Sequence, residues 1–162
     1  MSDPASDQGS GREESETQRL DRNLSELLQE LRVALPGVQV LFAFLLTIPF
    51  AQRFAALTTA QERIYLGILL STTISAVLLI APSAYHRINF RRQQKGRLVF
   101  VSNTLAIIGL GFLALAMIGV VLLVTDFLFA TPVTVACTSL AAVMFALFWF
   151  ALPLRRRFRG DD

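Results

Sequence analysis

The stretch that decides the fold is "LVFVSNTLAIIGLGFLALAMIGVVLLV", residues 98–124, which contains no Asp, Glu, Lys or Arg. As a helix it would be about 40 Å long at 1.5 Å per residue, and the hydrocarbon layer of a bilayer is about 30 Å thick. A run this long and this apolar reads as a membrane span. Working outward from it, the same reading applies three more times. Spans are expected at about 36–52, 64–85, 98–123 and 131–152. The charges between Val33 and Leu154 fall into short clusters that separate these runs. The fold class is therefore an all-α membrane protein, four transmembrane helices in a bundle, preceded by a cytoplasmic amphipathic helix.

Composition agrees. Apolar residues make up 54% of the 162 and charged residues 17%, against roughly 25% charged in soluble proteins. The isoelectric point near 9.7 does not point to nucleic acid, because the basic residues abut runs that must lie in lipid. Basic flanks beside spans are an orientation signal. Arg87, Arg91, Arg92, Lys95 and Arg97 follow the second span, and Arg155, Arg156, Arg157 and Arg159 follow the fourth. The opposite ends hold Arg53 and Arg63, and no cation around Asp126. An even number of spans lets every loop obey the positive-inside rule, with both termini in the cytoplasm of a bacterial plasma membrane. The two basic clusters are also expected to contact anionic lipid headgroups.

Residues 1–16 hold almost nothing to bury and read as a disordered tail; residues 155–162 form a basic C-terminal tail. Between about 17 and 35 the pattern changes. Leu20, Leu24, Leu27 and Leu31 recur at spacings of four and three, opposite a charged face with Arg22, Glu26, Glu30 and Arg32. This is an amphipathic helix. Three uses are open to it: lying on the membrane, pairing in a homo-oligomer, or docking a cytoplasmic partner through residues 20–35. Pro36 is expected to start the next helix or to kink the chain there. Thr58 or Thr59 with Glu62 resembles a capping box, Pro82 bends or ends the second span, and Thr131 with Pro132 opens the fourth. Small residues at helical spacing mark expected packing faces: Ala43, Thr47 and Ala51; Gly67, Ser71 and Ser75; Ser102, Ala106, Gly109 and Ala116; Thr134, Thr138, Ala142 and Ala146.

The residues argue against catalysis. One histidine and one cysteine, with no acidic residue deep in a span, make neither a nucleophile–base pair nor a metal cluster. Cys137 reads as a small packing residue. No cofactor is expected, and bis-histidine haem ligation is impossible within one chain. Four residues remain as candidates for function. His86 and Arg87 stand at a membrane boundary, where His86 is either an interfacial neighbour of Tyr85 or a ligand or proton-sensing group. Asp126 either solvates a hairpin or has an ion-related role. Asn103 is expected to hydrogen-bond a neighbouring helix.

"ELLQELRVALPGVQVLFAFLLTIPF" (Glu26–Phe50) together with "APSAYHRINFR" (Ala81–Arg91) resembles a family of small four-helix membrane proteins, chiefly actinobacterial, of unknown function. The similarity extends from about Asn23 to the fourth span. Some of those proteins carry an automatic label of sodium:proton antiporter, to which the absence of a mid-membrane carboxylate here gives little support. The resemblance implies a four-helix bacterial inner-membrane protein and brings no site residues with it. Two functions follow: a non-enzymatic interaction or self-associating membrane protein, or a small oligomeric cation/proton transporter or channel. The second draws on the polar tract Ser71–Ser75, on Asn103 and on the ionisable residues at the two boundaries.

Overall fold

The computed structural model describes residues 16–88 and 95–152. Helix α1 runs from Glu16 to Thr47, α2 from Thr59 to Ile88, α3 from Lys95 to Leu128 and α4 from Thr131 to Phe145, continued by a wide π turn over Ala146–Ala151. Two 3-10 turns, Ile48–Phe50 and Gln52–Ala56, join α1 to α2. Four segments are long and apolar enough to cross a bilayer: Arg22–Phe50, Thr59–Tyr85, Val99–Leu128 and Thr131–Ala151. The chain is an all-α, multi-pass membrane protein.

Pro36, Pro49 and Pro82 do not all act alike. Pro36 and Pro82 lie inside α1 and α2 and stop neither helix. The amphipathic segment and the first span are consequently one helix, not two. Pro49 does end α1, which tightens to a 3-10 turn there. A proline removes one N–H and crowds the preceding turn. At Pro82, which is almost fully buried, packing on both sides holds the helix together, while Pro36 is exposed and α1 runs through it. The fourth helix begins one residue earlier than its sequence suggests, with Ala130 and not Thr131 at the N-cap.

The buried positions follow a 4-3 rhythm. On α1 they are Leu24, Leu31, Val38 and Leu45, each seven residues from the next. On α2 they include Gln61, Tyr65, Ile68, Thr72, Ser75, Leu79 and Pro82. On α3 they include Ser102, Ala106, Gly109, Leu113, Ala116 and Leu123. This is the spacing of helices that pack at about +20° with knobs in holes. One cluster joins Leu31 and Val38 to Leu79, Ala106 and Leu113; a second joins Leu45 to Tyr65, Ile68, Ala116 and Leu123. Helix α3 is the hub: it packs on α1, α2 and α4, most extensively on α2. Among the described elements α4 rests on α3 and on neither α1 nor α2.

The α2–α3 contact is close because two glycines permit it. A Cβ on Gly109 would lie 2.9 Å from Leu79 Cγ and Cδ2, and one on Gly119 would lie 2.7 Å from Ile68 Cγ1. By contrast Gly67 is exposed and a Cβ there meets nothing within 4 Å. The small-residue faces expected from sequence divide accordingly. Ser71, Ser75, Ser102, Ala106, Gly109 and Ala116 are buried. Ala43, Thr47, Ala51 and Gly67 are exposed, so the expected α1 face is not a packing face within the chain. On α4, Thr134 is buried, Thr138 and Ala142 are half-buried, and Ala146 is exposed.

Overpacking a tight site costs about 1–3 kcal/mol. Gly119→Val should therefore lower the thermal denaturation midpoint in detergent micelles clearly, while Gly67→Val should leave it close to wild type. Equal effects at the two positions would contradict the close α2–α3 approach.

Candidate functional site

The densest polar construction lies at the end of the bundle where the α1–α2 and α3–α4 connections meet. It begins with a backbone deficit. The carbonyl of Leu45 would normally accept the N–H of residue 49, but Pro49 has none. Tyr65 of α2 supplies the missing donor: its hydroxyl donates to Leu45 O at 2.8 Å in a buried setting. The carbonyl one residue earlier, Phe44 O, accepts from Thr47 Oγ1 at 2.7 Å. The Tyr65 ring also packs edge-on against Phe54 of the second 3-10 turn, with centroids 5.5 Å apart. A phenol is suited to this place, since it fills apolar space and carries one hydroxyl to a waiting acceptor.

Beside it, the start of α2 is closed by a reciprocal capping box. The Thr58 N–H donates to Gln61 Oε1 at 3.0 Å, and the Gln61 N–H donates to Thr58 Oγ1 at 3.3 Å. The pair is Thr58 with Gln61, not Thr58 or Thr59 with Glu62. Gln61 is only 8% exposed, and its remaining donor, Nε2, reaches across to Asp126 Oδ2 at 2.9 Å. Asp126 lies in the last turn of α3, inside the helix and not in the hairpin loop. Its carboxylate anchors the α2 N-terminus to the end of α3. One glutamine thus satisfies its own helix end and ties two spans together.

The polar tract of α2 does not converge on a cavity. Thr72 Oγ1 donates to Ile68 O and Thr73 Oγ1 to Leu69 O, both within the helix. Ser75 Oγ, fully buried, donates across the seam to Gly109 O at 2.8 Å. Ser102 Oγ, Thr134 Oγ1 and Thr138 Oγ1 are buried without a hydrogen-bond partner among the described residues. Asn103 departs from expectation: it is exposed on α3 and has no hydrogen-bonding neighbour among the described residues. Gln39, exposed on α1, is in the same position.

Residues 13–153 match the profile of DUF6328, a family of unknown function. The chain belongs to this family. No curated protein and no solved structure matches it. The DUF6328 match covers all four spans and the amphipathic start of α1, so the elements described here are those of the family's domain.

Of the other residues singled out from sequence, Leu24 and Leu31 are buried and Leu27 is half-buried in the DUF6328 chain's own bundle. The leucine stripe faces inward, and the face of residues 20–35 left to solvent is the charged one. Arg87 is exposed on the last turn of α2. Arg91, Arg92, Arg155, Arg156, Arg157 and Arg159 lie outside the described residues, as do the side chains of Leu20, His86, Lys95 and Arg97. Among the described residues no three His, Cys, Asp or Glu side chains gather in a way that would hold a metal ion. Sequence reasoning missed Tyr65 and Gln61. The signal for Tyr65 was Pro49, which announces an acceptor in need of a donor.

Leaving a buried acceptor unmatched costs about 1–3 kcal/mol. Tyr65→Phe should therefore destabilise the protein in thermal scans. In a Pro49→Ala background the same substitution should cost less, because a main-chain N–H at position 49 can then serve Leu45. An identical loss in both backgrounds would break the link between Pro49 and Tyr65.

Proposed function

We propose that this protein is a non-enzymatic, self-associating protein of the bacterial plasma membrane, with both termini cytoplasmic. The observation that carries the reading is the pair of exposed carboxamides, Gln39 and Asn103, on membrane-spanning segments. Gln39 sits between Arg32 and Arg53, about 5 Å from the midpoint of that interval at 1.5 Å per residue, where neither water nor lipid tails offer a hydrogen bond. A carboxamide is donor and acceptor at once, so it is complementary to the same group on a second copy across a two-fold axis.

The partner surface moves accordingly. With Leu24 and Leu31 buried at home, self-association falls to the outward faces of the spans. Those faces include Val40 and Phe44 on α1 and most of α4. A cytoplasmic protein docking on residues 20–35 would meet the charged side, where Arg22 and Glu26 form an i,i+4 pair at 3.7 Å. The orientation rests on the basic clusters at 87–97 and 155–159. A transporter or channel needs an ionisable or polar path. Against it stand the tract at 71–75, whose bonded hydroxyls are engaged within α2 or with α3, and Asp126, which is engaged by Gln61.

Interhelical polar contacts in membranes are worth about 0.6–2 kcal/mol each, or roughly three- to thirtyfold in an association constant. Single-molecule photobleaching of labelled protein in liposomes, over a range of lipid dilutions, should show wild-type dimers or higher oligomers. Gln39→Leu with Asn103→Leu should shift the population toward monomer. A wild type that stays monomeric at every dilution would sink the reading.

A further inference from the structure

The 3-10 segment after Pro49 stands off from the end of α3. Neither turn makes close backbone contact with that helix. Between them lies an open recess of about 200 Å³, walled by Ala51, Phe54 and Leu57 on one side and by Leu123 and Phe127 on the other. Arg53 is the one charged residue in its lining. It walls the recess with its aliphatic stem; the residue is exposed and has no ion-pair partner among the described residues.

Depth decides what such a recess can hold. Leu123 lies five residues inside the end of the span Val99–Leu128, on its lipid-tail side, and Phe127 lies at the end itself, at the membrane boundary. Arg53 follows the span Arg22–Phe50 by three residues, which brings it to the level of headgroups. The volume is below the 300–1,000 Å³ typical of pockets for whole small molecules; it suits part of one hydrocarbon chain. A water-soluble ligand would not enter walls this apolar, and a hydrocarbon alone would leave the cation unmatched. A molecule with an acyl chain and an anion one headgroup above it satisfies both.

We propose that this recess is a phospholipid site, in which one acyl chain lies between the 3-10 segment and α3 and the lipid phosphodiester pairs with Arg53. A guanidinium suits the phosphate because its planar fork donates two parallel hydrogen bonds. The remaining charges at this end are Glu62, Arg63 and Asp126, and Asp126 already accepts from Gln61. With Arg53 they sum to zero, so the site selects the phosphate itself and not net negative headgroup charge. It is distinct in sequence from the basic clusters at 87–97 and 155–159, which follow the second and fourth spans.

The full chain is reconstituted in dioleoylphosphatidylcholine vesicles, and tryptophan quenching by guest lipids with brominated acyl chains is followed. The reporter is Phe127→Trp in a Trp149→Phe background; wild-type protein, whose single tryptophan is Trp149 in the π turn that continues α4, reports the ordinary lipid annulus. Brominated phosphatidylcholine and brominated phosphatidylglycerol should quench the 127 reporter alike. Brominated diacylglycerol, which lacks the phosphate, should bind there about fivefold more weakly, and Arg53→Gln should erase that difference. Trp149 should quench equally with all three. Equal quenching of the 127 reporter by diacylglycerol and phosphatidylcholine would overturn the proposal. So would a fivefold gap that survives Arg53→Gln or that appears at Trp149 as well.

Discussion

The contact between α2 and α3 sets the terms for everything else. Leu79 and Ile68 occupy the volumes that side chains at 109 and 119 would need. The two backbones therefore come near enough for Ser75 to bond a carbonyl of the opposite helix. Hydrophobicity does not drive helices together in lipid, where tails are as apolar as leucine. Shape and a few polar bonds must do so, and both are concentrated here. Helix α1 then lays its seven-residue repeat into the groove that α2 and α3 create, with Leu31, Val38 and Leu45 reaching both. Helix α4 lies on the remaining side of α3.

A second constraint is the accounting of backbone groups in a medium without water. Two departures from regular helix at the Pro49 end have named remedies. The Leu45 carbonyl takes the Tyr65 hydroxyl, and the α2 N-terminus takes the Thr58–Gln61 box. Gln61 then donates from Nε2 to Asp126. These remedies come from different spans, so the satisfaction of one helix end requires the presence of the others. The same reasoning makes Gln39 and Asn103 conspicuous, because nothing among the described residues performs this service for them.

How much of this was legible in the sequence depends on whether a feature is local. The apolar run 98–124 needs only its own length to be read as a span, and the stripe Ser102, Ala106, Gly109 and Ala116 needs only its own spacing. Gly67 and Gly109 are indistinguishable by that test, since what separates them is the side chain standing opposite. The leucines of 20–35 declare a buried face without declaring its partner, which is the rest of the same chain. Thr58 with Gln61 and Thr59 with Glu62 both fit a capping box, and the contact with Asp126, 65 residues away, distinguishes the pair that forms. Prolines behave alike in sequence and differently in structure, because Pro82 has neighbours packed around it and Pro49 marks a chain reversal. Asn103 was expected to bond a neighbouring helix on the premise that an amide in lipid needs a partner, but it faces outward on α3, a direction that its spacing alone does not give.

The position of α3 as hub has a consequence for biogenesis. A chain made from its N-terminus delivers α1 and α2 to the membrane before the helix that organises them exists. Ser75 waits for Gly109 through 34 residues of synthesis, roughly 2–7 s at about 5–20 residues per second. Gln61 waits for Asp126 about twice as long. During that interval a serine hydroxyl can fall back on the carbonyls of its own helix, and Gln61 at the membrane boundary has water within reach. The buried polar residues of α2 are thus of kinds, and at depths, that tolerate delay. Assembly is committed only when the third span emerges, and the fourth, attached to it by two residues, follows the same scaffold into place.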